Sequence, residues 1–115
     1  MQFKITLSMT LNQKSITSLI NQIFEIEKKS ANSNLEKSLS RNFDRIKNTL
    51  ENAGYRYHNP LGEKYDLTRL DCEAMISGEE TNNLKIVEVI KPIIYWDDEN
   101  RNTIIQKGVV ITENN

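Results

Sequence analysis

Residues 33–54, SNLEKSLSRNFDRIKNTLENAG, decide the fold of this chain. Their apolar side chains recur at steps of three and four, the spacing of one helical face; they are Leu35, Leu39, Phe43, Ile46, Leu50 and Ala53. Ser33 is followed three residues later by Glu36, which predicts a capping box at the helix start. Gly54 is placed to take the left-handed conformation that ends a helix. The stretch therefore predicts one amphipathic helix.

A second helix is predicted just before this one, over residues 15–29. Its apolar residues also lie on one face; they are Ile16, Leu19, Ile20, Ile23, Phe24 and Ile26. Only a short polar loop, residues 30–33, separates the two helices, so we predict an antiparallel helical hairpin over residues 13–54.

Two helices alone do not enclose a core, so the apolar seam of the second helix needs a partner. A hairpin of this kind is a natural half of a dimeric four-helix bundle. The sequence therefore predicts a homodimer, and the residues predicted at its interface are Leu39, Phe43, Ile46 and Leu50. Alternatively, these apolar residues of the second helix pack on the sheet of the same chain.

Residues 1–12 have a different pattern from the hairpin. Apolar and polar residues alternate strictly from Met1 to Leu11, and a period of two predicts a strand. We therefore treat residues 1–12 as a separate, strand-like segment. Two interpretations remain open. One is an edge strand that pairs with another chain, and the other is an ordinary half-buried strand or a tail that becomes ordered only on packing.

Residues 55–115 contain no helical pattern of comparable length and are predicted to form a small β-domain. Residues 72–76 are a short strand candidate, and residues 84–90, rich in Ile and Val, are a firmer one. Further strands are predicted at residues 93–96, 103–106 and 109–112. Pro92 is expected at a strand edge or break, because it donates no ladder hydrogen bond. Residues 97–102 are predicted to form a polar hairpin tip, and residues 107–108 a bend or bulge. The predicted fold class is α+β, with the boundary between helical and β portions near Gly54.

Composition excludes several classes of function. The chain has 115 residues with 15 Lys and Arg against 16 Asp and Glu, a net charge of −1 that argues against binding nucleic acid by phosphate neutralisation. Its single cysteine, Cys72, excludes an intramolecular disulfide framework and a multi-thiolate metal site. No apolar run has the length of a membrane span, and the N-terminus does not read as a signal peptide. We expect a soluble cytoplasmic protein with neither nucleic-acid nor membrane partners.

Catalytic residue types are scarce. His58 is the only histidine, and we expect it at the surface or in a hydrogen bond. Cys72 lies between Asp71 and Glu73, whose negative charges raise a thiol pKa and so argue against a nucleophile. A buried, hydrophobic Cys72 is the better interpretation. The sequence therefore predicts no enzyme activity, no cofactor and no metal site.

Two carboxylate clusters invite a metal hypothesis. Asp71, Glu88 and Lys91 have the residue types of a metal-dependent nuclease core. Glu88 and Lys91 are three apart, however, so in a regular strand their side chains point to opposite faces. The acidic residues 97–99 lack the glycine and the ligand spacing of a calcium-binding loop. We therefore interpret them as part of the solvated tip of a hairpin.

Several short motifs follow one another along residues 33–112. They are Leu50 with Gly54, then Gly62-Glu63-Lys64-Tyr65-Asp66, then Glu73-Ala74-Met75, then Ile86-Val87-Glu88-Val89, then Ile104-Ile105 followed by Gly108-Val109-Val110. In this order, after two helices, they resemble the GrpE family, the nucleotide-exchange cochaperones of DnaK-type chaperones.

The chain departs from the family pattern at several positions. Leu67 stands where the family has Pro after the Asp, and Cys72 stands in place of its His, with two extra residues before it. The family Gly soon after Val89 is missing, and Gln106-Lys107 replaces its Arg-Pro pair. The long stalk helix of the family is not predicted, since a strand-like segment stands in its place.

The resemblance implies a protein that dimerises through paired helices. Its β-domain would bind the nucleotide-binding domain of a DnaK-type ATPase and open the cleft, so that ADP leaves. Such a factor needs no catalytic residue, because it binds the open state better than the closed one. Surface residues proposed to contact the partner are Glu73, Tyr95, Trp96 and Arg101.

Three motif residues are expected to be structural. Gly62 allows a tight turn, the Tyr65 ring packs, and Asp66 caps nearby amides. A second hypothesis is a structural or interaction adaptor that keeps the β-domain without exchange activity. The lost Arg-Pro pair and Gly favour this adaptor, because they suggest a changed interface. A third hypothesis, a small metal-dependent enzyme, is disfavoured by the spacing of Glu88 and Lys91.

Overall fold

Two helices precede a series of short strands in the computed structural model, which describes residues 2–99 and 101–114, with side chains from residue 13 onward. The predicted α+β class, a helical hairpin followed by a small β-rich domain, is confirmed. The chain divides into two compact units, of which one ends at Phe43 and the other begins at Asp44. This division falls inside the second helix, whereas Gly54 marks the end of that helix.

Helix α1 runs from Gln2 to Ser30, so the predicted strand over residues 1–12 is wrong. Met1 itself lies outside the described residues. A strict alternation also contains apolar pairs four residues apart, and this is the spacing of one helical face. Extending an existing helix costs far less than starting one, so the helix predicted at 15–29 continues through this segment. Neither helix, over the described residues, has the length and apolarity needed to cross a membrane.

The connection between the helices is a tight turn. The Ser33 hydroxyl accepts a hydrogen bond from the Leu35 N–H at 3.2 Å and donates one to the Ser30 carbonyl at 2.9 Å. Helix α2 begins only at Glu36. The predicted capping box is therefore replaced by a turn in which Ser33 bonds an amide one residue earlier, outside the helix.

Helix α2 runs from Glu36 to Asn52 and carries the predicted seam. Within the single chain Phe43 is buried, whereas Leu39, Ile46 and Leu50 are half-buried. Gly54 follows with φ +90°, and its N–H donates to the Glu51 carbonyl at 2.9 Å. The prediction that Gly54 ends the helix in a left-handed conformation is thus confirmed.

One sheet has three antiparallel strands in the order β1-β5-β6, which are Tyr55–His58, Ile93–Asp98 and Arg101–Gln106. Arg56 of β1 lies opposite Tyr95 of β5, which lies opposite Ile104 of β6. The β5–β6 connection is the predicted polar tip, although Asn100 lies outside the described residues.

The other sheet has four strands in the order β2-β4-β7-β3; β2 is Lys64–Tyr65, β3 is Cys72–Ser77, β4 is Leu84–Lys91 and β7 is Gly108–Asn114. Strands β3 and β7 pair in parallel, and the other pairs are antiparallel. One face of this sheet forms the core, which includes the buried side chains of Cys72, Leu84, Ile86, Val89, Val110 and Thr112. The opposite face carries the exposed residues.

Two of the points at which the chain changes sheets, Pro92 and Gly108, are close together. Pro92 is buried between the end of β4 and the start of β5, and the Gln106 side-chain amide donates to its carbonyl at 2.9 Å. A Cβ on Gly108 would lie 3.0 Å from Ile93 Cγ1 and 3.2 Å from Cys72 Sγ. The predicted break at Pro92 and bend at 107–108 are confirmed, and together they hold the two sheets close.

Candidate partner-binding surface

The structure separates the four residues predicted to contact a partner. Tyr95 and Trp96 are neighbours on β5, and Arg101 begins β6 opposite Asp98. Glu73 is exposed on β3, an edge strand of the other sheet. Three of the four residues therefore share the three-stranded sheet, and Glu73 belongs to a different surface.

Tyr95 and Trp96 point to opposite faces of that sheet because they are consecutive in a strand. Trp96 packs on Tyr55, with ring centroids 4.5 Å apart and an interplanar angle of 45°. A Cβ on Gly54 would lie 3.1 Å from Trp96 Cζ3. These contacts give Trp96 a packing role where α2 meets β1.

Tyr95 lies on the other face, in a row with Arg56 and Ile104. The Arg56 guanidinium carbon lies 4.3 Å from the centroid of the Tyr95 ring, a cation–π contact. Burial raises the pKa of Tyr95, and the negative charge of Asp71 adds to this effect. Its phenol is therefore protonated at neutral pH and serves as an apolar platform with a hydroxyl at its end.

A groove of about 380 Å³ opens beside this row, and we call it the Arg56 groove; its lining includes Glu51, Gly54, Arg56, Tyr95, Asp97 and Asn102. The Asp97 N–H donates to the Gly54 carbonyl at 2.8 Å, which fixes the β5 wall against the end of α2. Within the described part of the chain, Glu51, Arg56 and Asp97 form no ion pair with one another or with other residues.

A chain of charged side chains lies at the end of β1. Glu63 Oε2 is 2.5 Å from His58 Nε2, and Glu63 Oε1 accepts from Arg69 Nη2 at 2.7 Å. Arg69 Nε also donates to Asp71 Oδ1 at 2.6 Å, and its Nη1 donates to the Lys64 carbonyl at 2.8 Å. The prediction that His58 lies at the surface or in a hydrogen bond is confirmed. This network ties β1 to the connection that leads to β3.

The pKa values of both carboxyl groups in this network, Glu63 and Asp71, are lowered. The hydrogen bond from Arg69 lowers the pKa of Asp71. Burial raises the pKa of Glu63, but the bonds from Arg69 and His58 outweigh it and the net pKa is lowered. Both carboxylates are therefore ionised at neutral pH, and we interpret the network as a structural brace.

Cys72 is buried beside this network. Burial raises the pKa of its thiol to about 11, and the negative charge of Asp71 adds to the shift. The thiol is protonated at neutral pH, so the predicted buried, hydrophobic cysteine is confirmed.

The segment that carries the glycine-aspartate motif forms a turn and a short strand. Gly62 has φ +84°, and its N–H donates to the Ile86 carbonyl at 2.9 Å. Tyr65 is buried on β2. Asp66 accepts hydrogen bonds from the Thr68 N–H at 2.9 Å and from the Thr68 hydroxyl. Gly62, Tyr65 and Asp66 therefore have structural roles in the connection between β1 and β3.

The exposed face of the four-stranded sheet carries Glu73. In register with it are Val109 and Lys91, and the next row holds Met75, Ile111 and Glu88. The prediction that Glu88 and Lys91 point to opposite faces is wrong, because a bulge between Val89 and Lys91 shifts the register and returns Lys91 to this face.

No group of three or more His, Cys, Asp or Glu side chains that could hold a metal ion occurs among the described residues. Comparison of the chain with protein-family models, with curated proteins and with solved structures finds no match. Sequence reasoning missed Arg56 and Arg69. For Arg69, the opposite charges of Glu63 and Asp71 on either side of it were an available signal.

Proposed function

We propose that this chain is a cytoplasmic GrpE-like cochaperone module, which binds the nucleotide-binding domain of a DnaK-type ATPase and promotes ADP release. The observation that carries the proposal is the order of elements. A helical hairpin continues through Gly54 directly into a β-domain of two small sheets. This is the arrangement that the resemblance to the GrpE family implies.

The positions of the resembling motifs support the same proposal. Residues 73–75 lie on β3, residues 86–89 on β4, residues 104–105 on β6 and residues 108–110 on β7. The first motif, which ends at Gly54, is the end of α2. Each motif therefore coincides with an element or a junction that shapes the β-domain.

Exchange by such a module is a matter of differential binding. A protein that binds the open state of an ATPase more tightly than the closed state shifts the population toward open, and ADP then leaves faster. The module needs a stiff binding surface for this purpose. The brace around Arg69 and the crossing points at Pro92 and Gly108 supply that stiffness to the β-domain.

The proposal includes a homodimer formed through the helices. The predicted interface is Leu39, Phe43, Ile46 and Leu50 of α2, of which Phe43 is buried within the single chain. On α1, Leu19 and Ile26 are 57% and 54% exposed and lie seven residues apart, on one side of the helix. This exposed pair offers further apolar surface for a second copy.

Stopped-flow release of a fluorescent ADP from a DnaK-type ATPase of the same source tests the proposal. We expect the release rate to rise with the concentration of the chain and then to saturate. The heat-unfolded chain serves as the control and should leave the rate at its basal value. An unchanged rate with the folded chain would overturn the proposal.

A second candidate function is a non-catalytic interaction adaptor that keeps the β-domain without exchange activity. One observation favours it. Gln106 stands where the family has Arg, and its side-chain amide donates to the Pro92 carbonyl within the chain. Binding to the ATPase without faster ADP release, or co-purification with a different defined partner, would select the adaptor.

A further inference from the structure

We infer that the Arg56 groove binds a segment of the partner in which an acidic side chain stands next to a basic one. This inference rests on the proposed function, since the partner it names is the DnaK-type ATPase. The acidic side chain would pair with Arg56 and the basic one with Asp97 and Glu51.

Arg56 is prepared to bind a carboxylate. Its guanidinium lies over the Tyr95 ring at 4.3 Å, and stacking of this kind restricts the side chain before a partner arrives. The planar fork of N–H donors at its edge matches the two oxygens of a carboxylate. Within the described residues no carboxylate of this chain occupies that fork, although Glu51 and Asp97 line the same groove.

The acidic residues that line the groove are placed to bind a basic side chain. Glu51 comes from the last turn of α2 and Asp97 from β5, and both side chains are exposed. Neither forms an ion pair in the described part of the chain. Because the positive and negative side chains of the groove do not pair with each other, both can bind a partner. A partner segment with one acidic and one basic side chain therefore complements the groove better than a purely acidic or purely basic one.

Gly54 and Asn102 also line the groove. Gly54 does so without a side chain, in a conformation with φ +90° that other residues rarely adopt. Asn102 stands opposite Asp97 in the β5–β6 pair and adds an amide donor and acceptor. The side-chain amide of Asn102 can therefore hydrogen-bond to a bound segment and fix its register.

The test measures the affinity of the full chain for the ATPase by fluorescence anisotropy. Arg56→Ala is expected to weaken binding about tenfold and to reduce its salt dependence, because a charged pair at an interface is lost. Arg45→Ala is the matched control, since Arg45 is exposed on α2 outside the groove. Tyr95→Phe keeps the ring under Arg56 and should keep the affinity. Circular dichroism verifies that each variant is folded.

A second pair of variants tests the acidic side. Asp97→Asn should weaken binding several-fold, about half the effect of Arg56→Ala in free energy, because Glu51 remains. Asp98→Asn, one residue further along β5 and not part of the groove lining, should leave the affinity unchanged.

The outcomes separate this inference from the proposed function. If the unmodified chain binds the ATPase and accelerates ADP release while Arg56→Ala and Asp97→Asn behave like their controls, the groove is not the docking site and the inference is overturned alone. If the unmodified chain fails to bind, the proposed function is overturned and the partner named for the groove with it. Selective loss of affinity in the two groove variants, together with faster ADP release by the unmodified chain, supports both.

Discussion

Gly54 joins α2 to β1 through a backbone that a side chain would strain. Its φ is +90°, and an added Cβ would lie 3.1 Å from Trp96 Cζ3 and 3.3 Å from the Asp97 carbonyl oxygen. We predict that Gly54→Ala lowers the free energy of unfolding by about 2–3 kcal/mol, from backbone strain plus crowding. Urea denaturation measures the change.

Gly62 is the matched control for this prediction. Its φ is +84°, but an added Cβ would meet nothing within 4 Å. Gly62→Ala should therefore cost only the backbone term, about 1 kcal/mol. Equal losses in the two variants would show that crowding against Trp96 does not contribute.

Arg69 makes the stability of the β-domain depend on pH. Because the pKa values of Glu63 and Asp71 lie below their ordinary values of 4.5 and 3.8, the unfolded state binds more protons than the folded state as the solution becomes acidic. The stabilisation is complete above the unfolded pKa values and is lost as pH falls through the folded ones. We predict that Arg69→Met flattens this acid loss.

The measurement for Arg69 is the free energy of unfolding between about pH 7 and about pH 3. Arg45→Met is the control, because Arg45 is exposed and forms no ion pair within the described residues. It should retain the acid loss of the unmodified chain. An Arg69→Met variant with the same pH dependence as this control would contradict the prediction.

The sequence predicted the roles of single residues better than it predicted contacts between residues that are distant in the chain. Gly54, Cys72 and Pro92 were predicted correctly because each has a property that acts locally, namely positive φ, a small apolar thiol and a missing N–H. Arg56 was missed because its partner Tyr95 is distant in sequence and adjacent only through the β1–β5 register.

Among the elements, strands β4 to β7 were predictable because runs that contain Ile and Val are bounded by turn residues or by Pro92, and β3 was predicted as a short strand candidate. Strand β2, with two residues, is too short to produce a periodic signal. The segment over residues 1–12 was predicted wrongly because its alternation is compatible with both periods, and the adjoining helix decided between them.

Helix α1 carries a prediction about assembly. Leu19 and Ile26 are exposed in the single chain, so Leu19→Asp with Ile26→Asp should leave each chain folded while preventing a helical dimer interface. Light scattering should give about twice 13.4 kDa for the unmodified chain and about 13.4 kDa for this variant. Lys14→Asp, at an exposed position about 140° around α1 from Leu19, is the control and should remain dimeric. A monomeric unmodified chain would remove the dimer from the proposal.

At the scale of the whole molecule, the sequence predicted a β-domain but not its division into two sheets. The parallel pairing of β3 with β7 joins residues far apart in the chain, and such registers depend on packing that local patterns do not contain. The candidate surface was therefore only partly predictable. Tyr95 was named in advance, whereas the groove beside it exists only because α2, β1, β5 and β6 meet there.

The division of the β-domain into two sheets determines which residues a single partner surface contacts. Glu73 and Tyr95 belong to different sheets, so a partner that uses the Arg56 groove need not touch Glu73. Contacts at the groove would place the end of α2 and strand β5 against the ATPase together. In this proposal, the docking surface is the junction of α2 with the three-stranded sheet.

The rate of ADP release from a DnaK-type ATPase of the same source, measured as the concentration of this chain is increased, tests the central claim most directly. A GrpE-like exchange factor raises the rate until the ATPase is saturated, because binding to the open state shifts its population. We predict that saturating rise. A release rate that stays at its basal value at every concentration of the folded chain would contradict the account.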